Sequence, residues 1–120
     1  MPEVIRFRPS EAGTSVRAPT LGYWSYVTEG VNEFWIDFTD RPRAGEYAKR
    51  VSVWNPDGER AWDHSYSLED DPPTPPRATL SVAEGMDGRL WRVTGGDFVI
   101  DPKIPPYFSV SRAKWFNPEK

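Results

Sequence analysis

The residue types that most often carry out catalysis are sparse in this 120-residue chain. His64 is its single histidine and there is no cysteine, so neither a cluster of histidines nor a thiolate site can bind a metal. A Ser/His/Asp triad would need His64, yet adjacent strand residues such as Asp63 and His64 point to opposite faces. Asp70 and Asp71 lie in a proline-rich loop, where carboxylates are usually solvated. The sequence therefore predicts no catalytic residue and no enzyme activity.

Loop aspartates are the remaining candidates for a metal site. Asp37, Asp40 and Asp101 could hold a structural calcium ion, because calcium prefers carboxylate oxygens. Their spacing matches no calcium-binding loop. The sequence predicts no cofactor and leaves structural calcium as an open alternative.

Aromatic side chains are the second group that could recognise a ligand. The chain has 6 Trp, 5 Tyr and 6 Phe, and a flat ring can stack on a sugar while nearby polar groups bond its hydroxyls. Trp54 and Trp62 flank NPDG (55–58), which suits a type I turn with its glycine in the left-handed conformation. In that turn Trp54 lies opposite Arg60. Ser52 then lies opposite Trp62, which predicts that both tryptophans share the outer face of the hairpin.

A different register would change this interpretation. A slip of one residue would bring Trp62 into the core beside Val51, because side chains alternate with period two along a strand. The turn residues favour the bulged form with both rings outside. Another alternative is that some of the rings pack under the proline-rich loop or against a neighbouring domain.

Two more segments extend the aromatic set. In NEFWIDFTD (32–40) Phe34, Ile36 and Phe38 are expected to point toward the core. Trp35 alternates with them and shares its face with Glu33 and Asp37, which predicts that Trp35 faces solvent. If residues 28–31 form a hairpin turn, Trp24 faces Trp35 and Tyr26 faces Glu33. Provided that both hairpins lie in one sheet, the sequence predicts one ligand-binding surface. Its candidate residues are Trp54, Trp62, Trp35, Trp24, Tyr26, Arg60 and Tyr66.

Short strands are the elements that must position these side chains. Aromatic and β-branched runs between turn signals predict strands near 4–7, 21–27, 33–38, 49–54, 59–64, 79–82, 89–94, 97–101 and 107–111. The 13 prolines and 9 glycines disfavour helix, and only SRAKWF (111–116) could form one short helical turn. We therefore predict an all-β fold, a single antiparallel β-sandwich of the jelly-roll or immunoglobulin-like type. The residues expected to face its core are Phe34, Ile36, Phe38, Val51, Val53, Leu80, Val82, Trp91, Val93, Phe98, Ile100, Phe108 and Val110.

The domain organisation follows from the same pattern. Residues 1–20 are interpreted as an N-terminal arm or linker, and residues 21–120 as the β-sandwich domain. EDDPPTPPR (69–77) cannot donate freely to a sheet and is interpreted as a loop that crosses between sheets. TGGD (94–97) is interpreted as a hairpin turn and not as a phosphate-binding loop.

Charge and hydropathy limit the classes of partner. The net charge is −3 with a pI near 5.2, and no run of basic residues is present. Nucleic acid is therefore excluded as the expected partner. No apolar run is long enough to span a membrane, and the first ten residues do not have the pattern of a signal peptide. If the native protein is exported, this chain is expected to be an excised piece or a processed form.

Three segments resemble a known class of modules. GVNEFWIDFTD (30–40), VSVWNPDGE (51–59) and DPKIPPYFSVSRAKWFNP (101–118) resemble non-catalytic β-sandwich modules of bacterial polysaccharide-degrading enzymes, including prepeptidase C-terminal-like and jelly-roll accessory domains. The resemblance implies secretion as part of a larger bacterial enzyme, with a polysaccharide or oligosaccharide and an adjoining catalytic domain as partners. The expected function is non-catalytic carbohydrate binding through surface tryptophans. The alternative is a structural or protein-interaction module that packs against another domain.

Overall fold

Two antiparallel sheets make up the structure, which is a computed structural model describing residues 4–19, 21–42, 48–71 and 73–118. The six-stranded sheet has the order β1-β11-β4-β9-β6-β7, and the five-stranded sheet has the order β2-β3-β10-β5-β8. No helix occurs in the described part of the chain. The all-β class and the antiparallel β-sandwich are confirmed. The strands are β1 (Ile5–Arg6), β2 (Pro9–Ser10), β3 (Gly13–Val16), β4 (Tyr23–Val27), β5 (Glu33–Phe38), β6 (Lys49–Trp54), β7 (Arg60–Tyr66), β8 (Ala78–Ser81), β9 (Arg89–Thr94), β10 (Phe98–Ile100) and β11 (Tyr107–Ser109).

The core lies between the sheets and is built from alternate residues of their strands. Phe34 of one sheet meets Trp91 of the other edge to face, with 5.4 Å between ring centroids. The indole Nε1 of Trp91 donates a 2.9 Å hydrogen bond to the carbonyl oxygen of Met86, so its buried polar atom is paired. All but one of the residues expected to face the core are buried. The exception is Val110, which is 64% exposed because β11 ends at Ser109 and the chain bends there.

The two connections interpreted as hairpins are instead arches between the sheets. The turn at residues 28–31 forms, with the Val31 amide donating to the Thr28 carbonyl at 3.1 Å. It nevertheless joins β4 of the six-stranded sheet to β5 of the five-stranded sheet, and the turn at 94–97 joins β9 to β10 in the same way. A hairpin would place both apolar faces on one side of a single sheet, whereas an arch packs them against each other. The predicted pairings of Trp24 with Trp35 and of Tyr26 with Glu33 are therefore wrong.

The segment expected to be an N-terminal arm contributes strands to both sheets. β1 pairs with β11, while β3 pairs with β10 and places Val16 in the core. β3 could not be predicted from its residues, because GTSV is short and mostly small or polar. The proline-rich stretch after β7 does cross between sheets as predicted, since β7 and β8 belong to different sheets.

Candidate functional site

A straight row of side chains crosses the outer face of the six-stranded sheet. Trp24 of β4 lies opposite Arg92 of β9, Arg92 lies opposite Trp54 of β6, and Trp54 lies opposite Arg60 of β7. We call these four residues the Trp–Arg row. Their chain neighbours Tyr23, Val53 and Val93 are buried, so strict alternation turns the row outward.

Each tryptophan of the Trp–Arg row has a guanidinium group over its ring. The Cζ atom of Arg60 lies 4.5 Å from the ring centroid of Trp54, and those of Arg92 and Arg112 lie 5.6 and 5.5 Å from that of Trp24. These distances are within the range of a cation–π interaction. Both tryptophans are half-buried, so part of each indole stays accessible.

Hydrogen bonds fix two members of the row. The indole Nε1 of Trp54 donates to the hydroxyl of Thr94 at 3.2 Å, which holds the ring against β9. A guanidinium nitrogen of Arg92 donates to the carbonyl oxygen of Leu21 at 3.0 Å. Trp54 and Arg92 are therefore fixed in a row of alternating flat rings and cations. The remaining N–H groups of Arg92 can donate to a ligand.

Arg92 and Arg112 were not identified from the sequence. The alternation of LWRV does place Arg92 on the outer face, but only the order β4-β9-β6 brings it between Trp24 and Trp54. Arg112 reaches Trp24 from the turn after β11. No local pattern could have shown either neighbour, because strand order within a sheet is a long-range property.

Tyr26 also lies on this outer face, where one side of its ring is covered. Trp115, from the segment after β11, stacks on it with 5.2 Å between centroids and 17° between planes. The indole Nε1 of Trp115 donates to the carbonyl oxygen of Tyr107 at 3.0 Å. Trp115 thus extends the aromatic surface beside Trp24, which the sequence interpretation had not included.

Trp35 lies on the opposite side of the molecule. It is on the outer face of the five-stranded sheet, where the guanidinium of Arg77 sits 4.0 Å from its ring centroid. Arg77 is held by both carboxylate oxygens of Asp37, at 2.9 and 2.8 Å, and this hydrogen bonding raises the pKa of Arg77. The expected continuous surface that included Trp35 therefore does not exist.

The turn at 55–58 has the predicted geometry. The Gly58 amide donates to the Asn55 carbonyl at 3.0 Å, and Gly58 has a φ of 84°. The Asn55 amide donates to the Glu59 carbonyl at 2.8 Å, as the bulged form requires. Trp54 then lies opposite Arg60, also as predicted.

The register changes one residue later, and this changes the position of Trp62. A β-bulge leaves Ala61 without a partner, so that Trp62 lies opposite Val53 and not opposite Ser52. The predicted Ser52–Trp62 pair and the shared outer face of Trp54 and Trp62 are wrong. The cause is packing: the bulge turns Trp62 toward the core, where it stacks on Phe38.

The inward side of β7 forms a stack and a cleft at the edge of the sandwich. Trp62, His64 and Tyr66 follow one another with ring centroids 6.0 and 6.3 Å apart. A cleft of about 400 Å³ lies beside them, under the proline-rich loop. The Tyr66 hydroxyl donates to the Asp40 carbonyl at 2.7 Å, and burial, followed by the charge of Asp40, raises its pKa to about 12. Tyr66 therefore has a structural role and does not belong to the Trp–Arg row.

The loop aspartates considered for calcium have partners within the protein. Asp37 binds Arg77, the Asp40 carboxylate accepts from the Asp97 amide at 3.3 Å, and Asp101 accepts from the Lys103 amide at 2.9 Å. Among the described residues, no group of three or more histidine or acidic side chains could hold a metal ion.

The chain has no match among protein-family models, curated proteins or solved structures. Within residues 4–19, 21–42, 48–71 and 73–118, no helix is long and apolar enough to cross a membrane.

Proposed function

We propose that the protein is a non-catalytic carbohydrate-binding module that binds through the outer face of its six-stranded sheet. The observation that carries the proposal is the Trp–Arg row, in which Trp24 and Trp54 alternate with cations across four neighbouring strands. Of the residues expected from the sequence, Trp24, Tyr26, Trp54 and Arg60 belong to this face. Trp35, Trp62 and Tyr66 lie elsewhere and are not part of the proposed surface.

The spacing of the row supports binding of an extended chain. Trp24 and Trp54 are separated by one strand, which corresponds to about 10 Å across a sheet. An extended polysaccharide repeats on a comparable length over two sugar units, so two rings of one chain could contact the two indoles. The guanidinium groups between and beside the indoles can donate hydrogen bonds to ring hydroxyls. A flat face with aromatic and donor groups in alternation thus has the chemistry that sugar binding needs.

A specific observation favours one alternative, a module that packs against another protein or domain. Leu21 and Phe116 are 72% and 53% exposed, and Val110 is similarly exposed. All three are close in the chain to residues of this face, since Val110 follows β11 and Phe116 follows Trp115. Exposed apolar groups beside tryptophan and arginine are typical of protein interfaces.

The test compares three tryptophan variants in binding to a panel of soluble polysaccharides by affinity gel and fluorescence titration. Trp24→Ala and Trp54→Ala should each weaken binding by about 1–3 kcal/mol, because each removes one stacking contact. Trp35→Ala is the matched control, since its indole also lies beside an arginine but on the opposite sheet, and it should leave affinity unchanged. Melting curves identify any variant that has lost its fold. If no polysaccharide binds while Trp24→Ala abolishes contact with an adjoining domain, the alternative is correct.

A further inference from the structure

The outer face of the six-stranded sheet is the more positive of the two outer faces. On the strands of the six-stranded sheet, the register places four arginines and one carboxylate outward; these are Arg6, Arg50, Arg60, Arg92 and Asp63. On the strands of the five-stranded sheet, the outward charged residues are Glu33 and Asp37. Arg77 lies over the same face and neutralises Asp37. The chain as a whole has a net charge of −3. The positive charge of this face is therefore local and opposite in sign to the net charge of the protein.

Two arginines of the six-stranded side, Arg92 and Arg112, differ from Arg77 on the other sheet in their carboxylate partners. Arg77, which lies over Trp35, is held by both oxygens of Asp37. By contrast, no carboxylate of the described residues pairs with Arg92 or Arg112, the two arginines beside Trp24. A guanidinium without a carboxylate partner retains donors in the fork geometry that fits an incoming carboxylate.

The single carboxylate on the face does not neutralise the row. Asp63 binds Arg50 at 2.8 Å and lies 4.0 Å from Arg60. Asp63 thus compensates mainly the charge of Arg50, which lies at the end of the sheet away from Trp24. The Trp24 end of the row, with Arg92 and Arg112, is the part best able to attract an anion.

We propose that the ligand of this face is an acidic polysaccharide whose uronate carboxylates are bound by Arg92 and Arg112 while Trp24 and Trp54 stack on its sugar rings. A uronate unit carries an apolar ring face and a carboxylate on the same ring, and the row presents an indole and a guanidinium in the same alternation. This inference rests on the proposed function and assigns the chemical class of its ligand. Neutral glycans supply the stacking but offer no carboxylate to Arg92 or Arg112.

The test uses two polymers with one backbone, polygalacturonate and its fully methyl-esterified form. Esterification removes the charge and keeps the sugar rings, so the difference in affinity reports the contribution of the carboxylates. We expect polygalacturonate to bind roughly a hundredfold more tightly than the ester, since each of the two arginines contributes the roughly tenfold difference that one hydrogen bond to a charged group produces. This preference should shrink as salt is raised, because exposed charges are screened. Calorimetry or an affinity gel at low and high ionic strength measures both effects.

Substitutions locate the effect on the row. Arg92→Gln and Arg112→Gln should each reduce the preference for polygalacturonate about tenfold and weaken binding of the ester far less than binding of the acid. Arg77→Gln is the matched control, because it removes the same charge beside a tryptophan on the opposite face, and it should leave the preference intact. Trp54→Ala should weaken binding of both polymers to the same extent, since stacking does not depend on the carboxylate.

The outcomes separate this inference from the proposed function. Equal affinity for the two polymers overturns the acidic ligand and keeps carbohydrate binding. Equal binding of polyglutamate and polygalacturonate overturns it as well, because the site would then recognise any polyanion. If neither polymer nor any neutral glycan binds, both proposals fail. Concentration-dependent dimers that Arg92→Gln abolishes would overturn the acidic ligand and instead assign the face to contact with a second copy.

Discussion

Trp62 stacks on Phe38 across the two sheets, with 5.7 Å between the ring centroids and 7° between the ring planes. Phe38 belongs to β5, and Trp62 belongs to β7, the edge strand of the six-stranded sheet. A parallel pair of this kind removes apolar area of both rings from water. The contact ties the edge strand to the opposite sheet, so Trp62 is a structural residue.

The first prediction compares the two tryptophans beside the 55–58 turn. Trp62→Ala should lower the free energy of unfolding by about 3 kcal/mol, because it leaves a gap beside Phe38. Trp54→Ala should cost only about 1 kcal/mol, since its ring lies on the outer face. Urea denaturation followed by circular dichroism gives both values. Equal losses would contradict the inward position of Trp62.

The second prediction concerns the β-bulge at Ala61. Deletion of Ala61 should cost no more than about 1–2 kcal/mol, because Arg60 would still point outward and Trp62 inward in a regular ladder. Deletion of Asp63 is the matched control. It puts Trp62 and His64 on opposite faces and should abolish cooperative folding. Thermal unfolding of the two deletion variants distinguishes these outcomes, and similar melting temperatures would show that the bulge does not set the register.

The third prediction concerns the turn glycine. Gly58 has a φ of 84°, and an added Cβ atom would meet no atom within 4 Å. Gly58→Ala should therefore destabilise the protein by about 1 kcal/mol through backbone strain alone. Gly58→Asn should cost less, since asparagine tolerates the left-handed conformation better than alanine. A smaller loss for alanine than for asparagine in urea titrations would argue against strain as the cause.

Local pattern was sufficient for much of the fold. β5, β6 and β9 have the bounds expected from the sequence, because an apolar residue recurs at every second position within them and turn residues flank them. The same alternation placed Trp35 and Trp54 on outer faces, whereas the outer position of Trp24 was expected only from its pairing with Trp35, which does not occur. These properties depend on residues near in sequence, which is why they could be predicted.

The neighbours of each strand could not be predicted in the same way. Trp24 and Trp54 lie in one row because β9 runs between β4 and β6, and no residue of either turn specifies that order. The residues of the 55–58 turn were sufficient to predict the pairing of Asn55 with Glu59. They were not sufficient to predict the register of the residues beyond Trp54 and Arg60. One bulge then reversed the face of Trp62, because its packing on Phe38 outweighs the cost of one unpaired residue.

The fourth prediction concerns alkaline pH and Tyr66, which is 1% exposed and donates a hydrogen bond to the Asp40 carbonyl. Burial first, and the nearby charge of Asp40 second, raise its pKa from 10.0 to about 12. An unfolded chain loses the phenolic proton near pH 10, whereas the folded protein keeps it. The stability from this group is therefore complete below pH 10 and is lost as pH rises toward 12, by about 2–3 kcal/mol in total.

Tyr66→Phe isolates that contribution. The variant cannot ionise at this position, so its free energy of unfolding should fall less steeply than that of the parent between about pH 9 and pH 11. Burial and the charge of Asp97 also raise the pKa of Tyr23. Tyr23 is present in both proteins, so its contribution to the pH dependence cancels in the comparison. The variant should be the less stable protein near pH 9, because the Asp40 carbonyl loses its donor, and the difference should narrow as pH rises. Parallel stability curves for the two proteins would show that the Tyr66 hydroxyl ionises as readily in the folded protein as in the unfolded chain.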